Sequence, residues 1–269
     1  MTFPERLRAA QSASRSRLCV GLDPDPAQFP APLASLPPAE ATVAFCRAII
    51  QSTQEVACAY KPNLAFFEAL GSEGWAAFEE VVQAVPSDRL VIADAKRGDI
   101  GNTARLYASA FFERLRCDAV TVSPYMGRDA IEPFLAHEGR CAFTLVLTSN
   151  PGADDVQSLR VDGEAVYHHV ARLATEIAEE QPGTIGFVVG ATRVDRLAAL
   201  RAAYPTVPFL VPGVGAQGGQ PAEVVAAAGI GPLIVNASRA VLYGSSGDDY
   251  AEAAGRAAAE LRDALGTPV

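Results

Sequence analysis

The chain has 269 residues, 49% of them hydrophobic and 20% charged, with a formal net charge of −9. That length holds a sizeable core and fits one large α/β domain or two small ones. The acidic balance argues against a general binder of nucleic acid or of anionic membranes, although a local basic pocket can still take an anionic small molecule.

The first residues, Met1 to Arg8, are charged and amphipathic and lack the apolar centre of a secretory signal. No run reaches the ~18 apolar residues that a membrane span needs, so a cytoplasmic protein without membrane association is expected. Short apolar runs then predict strands at Leu18–Gly21, Ala57–Lys61, Leu90–Ala95, Ala119–Val122, Cys141–Thr148, Thr184–Val189, Pro208–Val211 and Leu233–Val235. Amphipathic or alanine-rich stretches predict helices at Pro38–Val56, Glu73–Val85, Thr103–Leu115, Asp129–His137, Gly163–Glu180, Thr192–Ala203, Pro221–Ala228 and Asp248–Leu265. The spacing Val43, Phe45, Ala48, Ile49, Ile50 and the spacing Val166, Val170, Leu173, Ile177 follow a helical stripe. Strands that are apolar throughout are expected where both faces of a sheet are covered. Eight such strands alternating with helices over about 250 residues predict a (β/α)8 TIM barrel, here one domain over residues 1–269. A doubly wound open sheet is the alternative. The proline-rich stretch Pro24–Pro38 is expected to be a loop, and no linker, low-complexity segment or internal repeat divides the chain. The five cysteines are widely spaced without a CxxC pair, which reads as reduced core thiols. His137, His168 and His169 lack metal-ligand spacing, so no metal site is predicted.

A barrel of this kind places functional residues at the C-terminal ends of its strands. Asp94-Ala95-Lys96-Arg97-Gly98-Asp99 follows the apolar run Leu90–Ala93. In an extended strand residues i and i+2 share a face, which would set Asp94 and Lys96 side by side with Asp99 in the loop beyond. Such a cluster at a buried strand end reads either as a structural ion pair or as a catalytic site. Lys61 ends its own apolar strand, either reaching outward to solvent or pointing into the barrel mouth; the neighbouring Asp94 and Lys96 favour the mouth. Asp23 reads as a turn or cap residue near Pro24, or as a contact to a ligand hydroxyl. Pro212–Gly219 holds four glycines in eight residues, suited to presenting backbone N–H groups to an anion. Ser238 and Arg239 follow the eighth strand, and the loops after strands 7 and 8 frequently form a phosphate site in barrels. Arg239 is the natural charged partner there and Gln217 a further donor. Arg97, offset by one from Lys96, is expected to be structural. Tyr125 and Arg128 lie on the same rim without a chemical role.

These residues resemble the orotidine 5′-monophosphate decarboxylase family. The resemblance rests on Asp94-x-Lys96-x-x-Asp99 with Ile100 and Thr103, on Gly21-Leu22-Asp23, Lys61, Ser149 followed by Pro151-Gly152, Pro212–Gly219 and Arg239, and runs from about Leu18 to Tyr243. Asp-x-Lys-x-x-Asp is shared with sugar-phosphate decarboxylases and aldolases of the same suprafamily; Lys61 together with Pro212–Gly219 is more specific. The Asp-Ala-Lys-Arg-Gly-Asp form and Lys61-Pro62-Asn63 resemble a bacterial branch. Where many members carry His after strand 4, this chain has Ser123-Pro124-Tyr125-Met126-Gly127. The resemblance implies a cofactor-free homodimer with shared active sites, converting orotidine 5′-monophosphate to uridine 5′-monophosphate and CO2 in the last step of de novo UMP synthesis. It implies an alternating network of Lys61, Asp94, Lys96 and Asp99. Asp99, Ile100 and Thr103 would come from the partner subunit. Asp23 would meet the ribose, Ser149 the pyrimidine, and Gln217 and Arg239 the phosphate, beside Ser238.

Loss of CO2 from C6 of a pyrimidine leaves an electron pair in the ring plane, beyond the reach of enolate delocalisation. Fixed charge is the remaining lever: an ammonium near C6 stabilises the pair and then protonates it, and flanking carboxylates favour the ammonium form. Two other readings stay open. A metal-dependent sugar-phosphate decarboxylase or aldolase would need an extra acidic ligand where Lys61 stands, and a non-catalytic nucleotide-binding barrel would have no need of an intact tetrad.

Overall fold

Eight short apolar segments pair side by side in the computed structural model, which describes residues 1–215 and 218–268. They are β1 (Leu18–Leu22), β2 (Ala59–Pro62), β3 (Leu90–Arg97), β4 (Ala119–Val122), β5 (Cys141–Leu147), β6 (Thr184–Val189), β7 (Phe209–Pro212) and β8 (Leu233–Ala237). Every residue of β1, β2, β4 and β8 is buried, which is why these runs carry no polar alternation. The strands close into a barrel in the order β1-β8-β7-β6-β5-β4-β3-β2. The described registers, such as Gly21 opposite Lys61 and Thr144 opposite Phe187, are parallel.

The helices are α1 (Phe3–Ser14), α2 (Pro38–Thr53), α3 (Leu64–Glu68), α4 (Ser72–Ala84), α5 (Gly101–Ser109), α6 (Arg128–Leu135), α7 (Val166–Glu179), α8 (Val194–Ala203), α9 (Pro221–Ala228), α10 (Arg239–Leu242) and α11 (Tyr250–Leu265). The chain divides into two compact units, Leu7–Ala95 with Asn236–Val269, and Met1–Arg6 with Lys96–Val235. In the first unit the stripe read from the sequence is the buried face of α2. Its Phe45 meets Phe29 at a tilt and stacks on Tyr243 and Tyr250, at centroid distances of 4.9, 5.8 and 5.6 Å. Burying a large apolar side chain contributes about 1.5–3 kcal/mol. In the second unit Phe3 meets Phe143 edge to face at 5.8 Å, and the Arg201 guanidinium lies 3.7 Å from the Phe209 ring centroid while donating to the carbonyls of Tyr204, Pro205, Val207 and Pro232. All five cysteines are buried and unpaired as disulfides.

Four local features differ from the sequence reading. The N-terminal segment is a helix whose Phe3, Leu7 and Ala10 are buried. The Pro24–Pro38 stretch contains two 3₁₀ turns, Pro26–Gln28 and Ala31–Leu33, because each proline fixes a φ suited to a helical first turn. The helix expected from Gly163 starts at Val166, since Asp162 and Gly163 have φ of 53° and 83° and turn a two-residue hairpin, Arg160–Val161 against Glu164–Ala165. The helix expected over Thr103–Leu115 ends as α5 at Ser109 and continues as a π-helical turn, Ala110–Arg114.

Candidate active site

Lys61 is the penultimate residue of β2, and it is 4% exposed. Its Nζ donates to Asp94 Oδ2 at 2.6 Å, and Asp94 is itself 8% exposed. Burial pushes the Lys61 ammonium toward the neutral form, but the Asp94 and Asp23 carboxylates outweigh it and hold the group above the ordinary lysine value. The Lys61 side chain is therefore an ammonium at neutral pH. A one-residue parallel bridge between Asn63 and Asp94 continues the β2–β3 pairing past the strand end. It keeps the two charged residues in neighbouring positions. Asn63 then caps α3, its Oδ1 accepting from Ala65 N at 3.3 Å.

Asp23 follows β1. The capping role open to it in the sequence belongs instead to Asp25, whose Oδ1 accepts from Ala27 N at 3.0 Å. Asp23 Oδ1 is buried without a hydrogen-bond partner among the described residues. An orphaned carboxylate oxygen of this kind is costly to keep and suits a ligand hydroxyl. Tyr243 fixes the segment: its hydroxyl donates to Asp23 O at 2.7 Å and accepts from Asp25 N at 2.8 Å, and burial pushes its pKa up to about 12. At the end of β8, Asn236 is buried, Ser238 half-buried and Arg239 exposed. Lys61, Asp94, Asp23, Ser238 and Arg239 thus all lie in one compact unit.

Lys96 belongs to the second unit, whose longer segment it opens. Lys96 is exposed and has φ +47° near the end of β3, a backbone conformation that the sequence reading did not foresee. A left-handed lysine is strained, a feature that clusters at functional sites. Its backbone N–H is held by Thr121 Oγ1 at 3.0 Å, a contact from β4 that the sequence reading missed. The Arg97 guanidinium lies 5.1 Å from the Tyr107 ring centroid. Asp99 Oδ1 accepts from Ile100 N at 2.8 Å, and Ile100 and Thr103 are both exposed.

Ser149 follows β5. Its chain neighbour Thr148 is clasped by Gln157, which accepts from Thr148 N at 2.8 Å and donates to Thr148 Oγ1 at 2.9 Å. On the other side, a Cβ on Gly190 would lie 2.7 Å from Ser149 N, so only glycine lets the end of β6 approach that closely. After β7, Gly213, Gly215 and Gly218 have φ of 99°, 78° and 88°. These conformations suit glycine alone. They let Gly218 N donate to Gly215 O at 2.9 Å and Gly219 N to Gly213 O at 3.2 Å. Gln217 lies outside the described residues. No group of three or more His, Cys, Asp or Glu side chains with metal-binding geometry occurs among the described residues.

A closed parallel eight-stranded barrel with charged and glycine-rich strand ends defines the (β/α)8 class, with its candidate site at the strand C-termini. The chain belongs to the orotidine 5′-phosphate decarboxylase / HUMPS family, whose model matches residues 16–255. It is 49% identical over 257 residues to an orotidine 5′-phosphate decarboxylase of Herpetosiphon aurantiacus, covering 95% of each chain. It superposes on a Leishmania donovani OMP decarboxylase structure with a TM-score of 0.83 at 41% identity, covering 98% of this chain and 99% of that one. It also matches a Leishmania donovani UMP synthase structure with a TM-score of 0.84 at 41% identity, where 98% of this chain spans only 56% of the other.

Proposed function

We propose that this protein decarboxylates orotidine 5′-monophosphate to uridine 5′-monophosphate and CO2. The observation that carries the reading is the buried Lys61–Asp94 pair, 2.6 Å apart, at the C-terminal end of the strand that goes on to Lys96. A buried lysine salt-bridged to this aspartate ties up a carboxylate that a metal-dependent sugar-phosphate reaction would use as a ligand. In the proposed mechanism Asp94 faces the substrate carboxylate and Lys96 faces C6. The C6–CO2 bond breaks, its electron pair stays on C6, and CO2 departs. Lys96 transfers an ammonium proton to C6, and the neutral amine regains a proton from water. Lys61 and Asp99 keep the alternation of charge that favours protonated Lys96 before each turnover. Asp23 takes the ribose through its orphaned oxygen and Ser149 takes the pyrimidine. Ser238, Arg239, Gln217 and the glycine loop grip the phosphate, and that remote binding energy orients the ring.

The same reading assigns Asp99, Ile100 and Thr103 to the neighbouring subunit's site in a two-fold dimer. It is supported by exposed apolar side chains in that part of the chain, among them Ile100, Leu106, Met126 and Tyr125, the last 88% exposed. A single working barrel domain in the cytoplasm and no resident cofactor complete the proposal. No helix among the described residues is long and apolar enough to cross a membrane. The test is to incubate purified protein with orotidine 5′-monophosphate and a chelator and to follow pyrimidine absorbance. Substrate loss in chelator supports the proposal. Activity only on adding a divalent metal favours the sugar-phosphate type of chemistry, and no loss under either condition favours a non-catalytic barrel.

A further inference from the structure

Asn236 interrupts an otherwise apolar strand and is only 5% exposed. A buried amide must place two donors and an acceptor, and each one left unmade is costly. Its Nδ2 donates to Ser238 Oγ at 3.3 Å. Its Oδ1 is buried without a partner among the described residues, packed against the backbone of Gly21. A Cβ on Gly21 would sit 3.0 Å from that oxygen and 2.0 Å from Ser238 Oγ. Both side chains thus fill the space that Gly21 leaves open. A serine hydroxyl has one proton and two lone pairs. With one lone pair taken by the Asn236 amide, its proton points elsewhere, and no described residue accepts it.

We propose that Asn236 is a positioning residue. Its amide holds Ser238 so that the hydroxyl presents its proton, not a lone pair, to the ligand's phosphate, and Gly21 provides the room for this arrangement. A phosphate monoester dianion is an acceptor, so a serine locked as donor discriminates for it. The inference rests on the reading of Ser238 and Arg239 as phosphate ligands.

The test is a double-mutant cycle. Uridine 5′-monophosphate and uridine are titrated by calorimetry into the wild type, Asn236→Ala, Ser238→Ala and the double variant. Each single change should weaken nucleotide binding about tenfold or more, the size of a lost hydrogen bond to a charged group, and leave uridine within about twofold. The double variant should bind no worse than Ser238→Ala alone, because Asn236 has nothing left to position. Additive losses show that Asn236 acts independently of Ser238 and overturn the proposal. Equal losses for nucleotide and nucleoside show a merely structural role and overturn it too. A wild type that binds uridine as tightly as the nucleotide overturns the phosphate reading itself, and the inference with it. If Asn236→Ala does not fold, Asn236→Asp keeps the volume. Its direct charge effect is present with and without Ser238 and cancels from the cycle, so coupling remains the expected result and its absence the contrary one.

Discussion

Lys61 keeps its charge in a dry place because Asp94 is there. Asp94→Asn removes the anion and leaves the ammonium buried with a neutral neighbour. Breaking one side of a buried pair costs about 3–5 kcal/mol, so a fall of that order is expected in chemical denaturation, together with loss of turnover. Unchanged stability would mean that the pair is solvated. The elevated Lys61 value sets the sign of the pH effect. The pair's stabilisation is complete below the ordinary lysine value of 10.5 and declines as pH rises through the higher folded value, so alkali, not neutral buffer, should expose it. Lys96 differs, being exposed and left-handed. Lys96→Ala should abolish decarboxylation while leaving the thermal unfolding midpoint and product binding nearly intact, and wild-type turnover in a folded sample would overturn the proposed proton-donor role. Arg239 is exposed, and Arg239→Ala should cost roughly 1.5–3 kcal/mol of nucleotide binding. The penalty should nearly vanish for uridine, whereas an equal penalty would rule out a phosphate contact.

The segment after β5 is held by ion pairs and hydrogen bonds, with little buried apolar surface. Asp154 receives the Ser158 hydroxyl, Arg193 at 2.8 Å and Arg196 at 3.4 Å. The Ser158 contact first, and Arg193 next, hold its carboxyl at about 2, below the ordinary 3.8. A depressed carboxylate contributes its stabilisation above its ordinary value and loses it as pH falls through the folded one. Amide exchange in residues 151–158 should therefore accelerate, after correction for intrinsic rates, as pH drops from about 4 to about 2. Asp154→Asn should reproduce the loosening at neutral pH, and equal protection in both proteins would show that the segment is held by other contacts. This strap was illegible in the sequence because Arg193 and Asp154 are far apart in the chain and their pairing depends on tertiary placement. The same holds for Thr121 under Lys96 and for Arg201 on Phe209. Strands read well because burial on both faces leaves continuous apolar runs. Lys61, Asp94 and Asp23 could be singled out as strand-end charges because a charge at the end of such a run needs a reason. The left-handed conformation of Lys96 could not be foreseen, since nothing in Ala95-Lys96-Arg97 announces a positive φ. The hairpin at Asp162-Gly163 was missed although its turn residues were present, because two-residue strands leave no periodicity to detect.

The proposed sharing of active sites concerns the assembly and is tested there. If Asp99 serves the neighbouring subunit, Lys96→Ala and Asp99→Ala proteins are each inactive, yet a hybrid dimer carries both lesions in one site and none in the other. Random re-pairing gives about half hybrids, so roughly a quarter of wild-type activity should return. No return once subunit exchange has been shown independently would place Asp99 in its own chain's site. The buried cysteines have a different consequence for the whole chain. Cys19 lies in β1, Cys46 in α2, Cys58 before β2, Cys117 before β4 and Cys141 in β5. Burial raises all five thiols, Cys58 and Cys117 to about 12. Alkylating reagents attack thiolates, so each sulfur reacts only when its own surroundings open. The protein therefore carries five built-in clocks. Mass-resolved alkylation of the unmodified wild type would time the opening of each neighbourhood separately, and a bound nucleotide would slow the ones whose opening it forbids.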